Sequence, residues 1–96
     1  MIVRIVKLHF KKQHTPDFEK LFDFLSPQIL KFEGCNKVEL LRDINNPEIY
    51  FTYSWWQSDE HLENYRNSEL FKTWWAEVKK LFAEKPHAWS LEEVRK

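Results

Sequence analysis

The chain holds one glycine and one cysteine among its 96 residues. The lone glycine, Gly34, excludes a glycine-rich phosphate loop, which needs several points of bare backbone approach to an anion. The lone cysteine, Cys35, excludes an intrachain disulfide and fits a reducing cytoplasm. Excess charge of either sign is missing too: 15 basic residues balance 15 acidic ones, and the isoelectric point is near 6.9. Without a polybasic stretch the electrostatic footprint of a nucleic-acid binder is absent, and no nucleic-acid partner is expected. No apolar run approaches the roughly 18–20 residues that span a membrane. Arg4 and Lys7 interrupt the apolar start of the chain, unlike a secretory apolar segment. The expected location is therefore the cytoplasm, with no membrane partner. No His, Cys, Asp and Glu cluster has metal-site spacing, and no Ser, His and Asp order stands out for nucleophilic catalysis. Neither a metal nor another cofactor is expected.

Aromatic surface is what the chain has in excess: 8 Phe, 5 Trp and 3 Tyr. Each such side chain buries about 150–250 Å². That is a large apolar load for one small domain, expected over residues 1–96, to hide alone.

Ile2 to Phe10 reads as a β-branched strand whose faces are Ile2, Arg4, Val6, Leu8, Phe10 and Val3, Ile5, Lys7, His9. Thr15 is expected to cap a helix, with Pro16 in its first position and Asp17 at the positive end of its dipole. Phe18, Leu21, Phe22, Leu25, Ile29 and Phe32 keep helical spacing. Pro27 falls inside this stripe and predicts a kink or brief break, with Ser26-Pro27 recapping the rest. Gly34 suits the left-handed position after the helix. Cys35 to Asp43 forms a second strand, Asn45-Asn46-Pro47 a turn, and Glu48 to Trp56 a third strand with aromatic groups on both faces. Ser58 caps a helix that opens with Asp59 and Glu60, and Ser68 recaps a second that opens with Glu69. Phe71, Trp74, Trp75, Val78, Leu81 and Phe82 give this second helix a broad apolar face, which Pro86 ends. His87 to Val94 is a last short strand.

The order strand, helix, strand, strand, helix, strand defines the fold class: α+β, a ferredoxin-like βαββαβ arrangement with helices on one face of an antiparallel sheet. The other face should then be polar, yet strands one and three are apolar on both sides. No residues remain to cover it. A second copy of the chain, packed sheet against sheet by two-fold symmetry, is the expected cover, so a homodimer is predicted.

Glu33-Gly34-Cys35 leads a strand ending in Arg42-Asp43. A third strand then ends in Trp55-Trp56, and a stretch from Ser58 through Tyr65 to Phe71 follows. In this order and spacing the chain resembles the antibiotic biosynthesis monooxygenase family of the dimeric α+β barrel superfamily. The resemblance implies a substrate pocket beside the junction of the third strand and the following helix. Cofactor-free and haem-degrading oxygenases of this family resemble one another in using an Asn on the first strand and a Trp at the end of the third. Trp56 matches the Trp, whereas the first Asn in this chain is Asn36. The haem-ligating His of the haem-degrading members falls at or near Trp75, and an indole nitrogen only donates. No haem is therefore expected. Where many relatives have a His in the first of the two later helices, this chain has Tyr65.

The expected catalytic residues are Trp56, His9 and Tyr65. Trp56 would stack a planar substrate from the pocket wall, or else be an ordinary core Trp. His9 would act as base, or else sit at the solvent edge of its strand. Tyr65 would orient a substrate carbonyl, or else be a core Tyr with a wet hydroxyl. Lys7, Trp75 and Phe22 are the expected substrate-binding residues. His14 reads as loop and His61 as exposed. The expected function is a cofactor-independent monooxygenase of the quinol or anthrone type, acting on a planar phenolic or enolisable small molecule. The alternatives are an isomerase on the same fold and a non-catalytic dimeric module that binds a small ligand.

Overall fold

The computed structural model describes residues 1–95. It contains β1 (Ile2–His9), α1 (Thr15–Leu30), β2 (Cys35–Arg42), β3 (Ile49–Trp56), α2 (Asp59–Arg66), α3 (Glu69–Lys79) and β4 (His87–Glu92), with a short 3-10 turn at Lys12–His14 before α1. The strands form one antiparallel sheet in the order β2-β3-β1-β4. This is the ferredoxin-like α+β fold that the element order predicts.

Five local expectations are corrected. Thr15 is already helical: His14 holds the cap position without a side-chain bond, and the Thr15 hydroxyl donates to the Lys12 carbonyl at 3.2 Å. Pro27 does not break α1, which runs unbroken to Leu30. Pro27 and Asp23 are exposed, so water can take the Asp23 carbonyl that the proline leaves without a donor. Leu25 and Ile29, on either side of Pro27, are buried and hold the helix to the sheet. Gly34 does adopt a left-handed φ of 86°, but three residues past the Lys31 cap. It is needed there twice over, because a Cβ would collide with the His61 ring. His61 is accordingly half-buried rather than exposed, its Nδ1 2.7 Å from Ser58 Oγ. Finally, α3 stops at Lys79. Leu81 and Phe82 lie in the turn beyond, where the Leu81 carbonyl accepts from Lys11 N at 3.0 Å and Phe10 pairs with Phe82. Both later helices are capped as expected, by Ser58 and Ser68.

The core has two centres under the helices. One gathers Leu8, Phe10, Phe18, Tyr50 and Val78. The other gathers Leu25, Ile29, Trp56, Leu62 and Tyr65. The far face of the sheet carries Ile5, Phe51, Tyr53 and Trp55, and Trp89 and Leu91 at its β4 edge stay 46% and 47% exposed. No helix among the described residues is long and apolar enough to cross a membrane.

Candidate functional site

A cavity of about 270 Å³ opens between the helices and the sheet. It is near the lower end of the roughly 300–1,000 Å³ common for small-ligand sites. Its walls are assembled by strand parity. Arg4, Val6 and Leu8 of β1 face it, as do Thr52 and Ser54 of β3 and Val38 of β2. The helices supply Phe18, Phe22, Leu25 and Ile29 from α1, Leu62, Tyr65 and Arg66 from α2, and Phe71, Trp74 and Trp75 from α3.

The polar groups form a row across the sheet. Val38 pairs with Ser54, Ser54 with Arg4, and Arg4 with Ser90. One guanidinium nitrogen of Arg4 donates to Ser90 Oγ at 2.9 Å. Burial, and then the nearby Arg66 charge, hold the Arg4 guanidinium below its usual pKa, while Glu63 and Asp59 pull the other way. It remains a cation at any physiological pH. Arg66 is anchored to Glu63 at 2.9 Å.

Tyr65 is the buried polar centre of the wall. Its ring stacks on Trp56 with centroids 5.0 Å apart, and Phe32 and Phe71 meet its ring edge-on. Trp74 Nε1 donates to its hydroxyl oxygen at 2.9 Å. That oxygen is thus filled as an acceptor, and its own proton is available to a ligand. Burial pushes the phenol pKa far up, against the smaller opposing effect of the Trp74 bond, so Tyr65 is a hydrogen-bond donor and not a base.

Tyr65, Trp75 and Phe22 are therefore brought together in the cavity, as the sequence predicts. Trp56 is not in its wall. The side chain is fully buried one layer back, where its Nε1 donates to Ser54 Oγ at 2.9 Å and its ring backs Tyr65. It positions two cavity residues. His9 and Lys7 do not reach the cavity, because they project from the opposite face of β1 to Arg4, Val6 and Leu8. His9 instead lies between Glu84, 3.2 Å from Nδ1, and Glu48, 3.3 Å from Nε2. The sequence reading passed over Arg4, Thr52, Ser54 and Arg66. The signal for Arg4 was present: it is the one charge on an otherwise apolar strand face. Among the described residues no three His, Cys, Asp or Glu side chains gather as metal ligands.

The family model for antibiotic biosynthesis monooxygenases matches residues 1–77, and the chain belongs to that family. It is a family of monooxygenase-like enzymes that act on small molecules. Two curated relatives, described as staphylobilin-producing haem oxygenases from strains of Staphylococcus epidermidis, are each 33% identical over 67 residues, covering 70% of this chain and 62% of theirs. The match thus spans less than two thirds of those relatives. Among solved structures, a conserved protein from Methanosarcina mazei is similar at a TM-score of 0.90 and 22% identity, covering 97% of this chain and 93% of that one. A candidate antibiotic biosynthesis monooxygenase from Bordetella bronchiseptica is similar at a TM-score of 0.87 and 26% identity, covering 98% and 97%.

Haem does not suit the cavity residues. Trp75 offers only an N–H donor, and Tyr65 holds its proton. His87, the one imidazole residue at the rim among the described residues, stacks its ring on Trp89, a far-face side chain, at 6.2 Å.

Proposed function

We propose that the cavity takes one planar phenolic or enolisable molecule and oxidises it with dioxygen, in the manner of a cofactor-independent quinol or anthrone monooxygenase. The observation that carries this reading is an apolar, aromatic-walled cavity into which a few fixed donors converge. The substrate's own anion is the reductant. For an anthrone-like ring, one CH₂ becomes C=O, one oxygen atom enters the product and the other leaves in water. The two protons come from that carbon, so no outside reductant is needed.

The protein's share is to bind, orient and exclude water. Phe22 and Trp75 hold the ring faces. Tyr65 donates to the oxygen on which negative charge is spread, a donor fixed in place by Trp74 and Trp56. No imidazole or carboxylate of the wall is required as base when the substrate is acidic enough to ionise in solution. The cavity wall carries no Asp or Glu among the described residues. That favours, as second reading, a non-catalytic small-ligand module over an isomerase, which needs a base at the reacting carbon.

The working unit of this reading is a homodimer formed through the far sheet face. Its support is the unpartnered apolar surface of Phe51, Tyr53, Trp55, Trp89 and Leu91. Stable interfaces of this kind commonly bury more than about 1,000 Å². The test is oxygen uptake with a panel of quinols and anthrone-like phenols. Uptake that saturates with substrate and needs no added metal or flavin supports the monooxygenase. Saturable binding without uptake turns the account to the binding module.

A further inference from the structure

Arg4 brings a charge onto a strand face that is otherwise apolar. It sits mid-strand, on the helix-covered face, between Val38 and Ser54 on one side and Ser90 on the other. A half-buried cation there costs solvation. Structural cations under a helix layer normally recover that cost from a bidentate carboxylate. Arg4 makes no ion pair among the described residues; its one side-chain partner is the neutral Ser90 hydroxyl. Arg66 reaches the same cavity from the end of α2, with one nitrogen committed to Glu63. A guanidinium has five N–H donors, so both side chains keep donors for a ligand. Ser54 adds a hydroxyl whose oxygen is already occupied by the Trp56 indole, leaving its proton to give.

We infer that Arg4, Arg66 and Ser54 form an anion subsite, and that the ligand is a planar aromatic acid whose carboxylate docks there. The inference rests on the reading that the cavity holds a planar ring, and adds the charge that the ring carries. Phe18, Phe22 and Trp75 contact the ring, Tyr65 its hydroxyl or carbonyl, and the sheet row its carboxylate. Two charges oppose the anion: Glu63, which Arg66 offsets, and Asp59, which lies exposed in the first turn of α2. Neither acid lines the cavity, whereas Arg4 and Arg66 both do.

The test is calorimetric titration of 1-naphthoate against 1-naphthamide, a neutral probe of nearly the same shape. The wild-type protein is expected to bind naphthoate about 10–100-fold more tightly, the range for a charge-assisted pair. Arg4→Gln, which keeps a donor for Ser90, should shrink that gap to under about threefold, weakening naphthoate far more than naphthamide. Naphthamide binding that persists in the variant reports an intact cavity. Arg4→Lys should keep part of the preference, because it retains the charge without the fork. Should Arg4→Gln not fold, Arg66→Gln carries the same test with a smaller loss. Equal binding of the two probes, no naphthoate binding, or a preference that survives Arg4→Gln would overturn the subsite. Naphthoate preference without oxygen uptake from any quinol would remove the oxidation and leave the subsite. Uptake from neutral quinols without naphthoate preference would do the reverse.

Discussion

Arg4, Val6 and Leu8 look into the cavity, while Val3, Ile5, Lys7 and His9 look away from it, although the two sets alternate along one strand. β3 divides in the same way, with Thr52 and Ser54 on the cavity side and Tyr53 and Trp55 behind. Both faces are apolar and aromatic, so composition does not tell them apart. What separates them is the kind of polar group each contains. The cavity side presents fixed donors under a roof of helices. The far side presents residues satisfied by one another: Lys37 Nζ rests 5.1 Å over the Trp55 ring, and His9 lies between two carboxylates. On the proposed reading, one face holds something small and the other lies against a second copy of the sheet.

The sharpest way to break this division is at Tyr65. Tyr65→Phe keeps the stack on Trp56 and removes the hydroxyl, which is both the donor to a ligand and the acceptor for Trp74 Nε1. Turnover on a quinol should fall by about 10²-fold or more, as for a lost oxyanion donor, with KM little changed. A variant of normal rate would take the hydroxyl out of the chemistry. On the far face, Trp89→Glu places a charge on a side chain 46% exposed, so the monomer fold should survive. It should weaken dimerisation by about 30-fold or more, read by light scattering over a dilution series. A wild-type protein that scatters as a monomer at micromolar concentration would remove the dimer altogether.

The pH dependence of stability gives a third handle. Cys35, Tyr50 and Tyr65 all have pKa values raised above their ordinary 9.0, 10.0 and 10.0, in each case chiefly by burial. Below about pH 8 both folded and unfolded chains keep these protons, and the contribution of the buried neutral groups is fully present. Above it the unfolded chain ionises first, so stability is lost as pH rises toward the folded values. Denaturant midpoints should be flat from pH 7 to about 8 and fall beyond. Tyr65→Phe should flatten that fall, and an unchanged slope would contradict the burial assigned to Tyr65. The smallest effect is expected at His9: His9→Ala should leave turnover within about twofold. A loss of the 10²–10⁴-fold typical of a general base would restore His9 to the chemistry.

These contrasts also mark what the residues reveal before folding. Helix caps at Ser58 and Ser68, the strand alternation and the need for glycine at position 34 follow from local chemistry and were legible. So was the parity of β1, which already sets Lys7 and His9 apart from Val6 and Leu8. Choosing His9 and Lys7 for the site followed residue type over parity, and the helices proved to cover the other face. Trp56 was legible as important but not as a second-layer support, because its distance from the cavity depends on Tyr65 packing over it from α2. The backbone cost of Pro27 alone predicts a break, whereas the burial of Leu25 and Ile29 on either side keeps α1 whole. Arg4 needed only the question of why a charge stands on an apolar face.

The five tryptophans offer a direct measurement, because they divide between the faces: Trp74 and Trp75 line the cavity, Trp56 backs it, and Trp55 and Trp89 lie on the far face. Fluorine NMR of 5-fluorotryptophan protein, assigned by single Trp→Phe variants, would follow all of them during an anaerobic titration with naphthalene-1,4-diol. The account predicts saturable shifts at Trp74 and Trp75, a smaller one at Trp56, and none at Trp55 or Trp89, whose signals should move only on dilution. Saturable shifts at Trp55 and Trp89, with Trp74 and Trp75 unmoved, would place the ligand on the wrong face and contradict it.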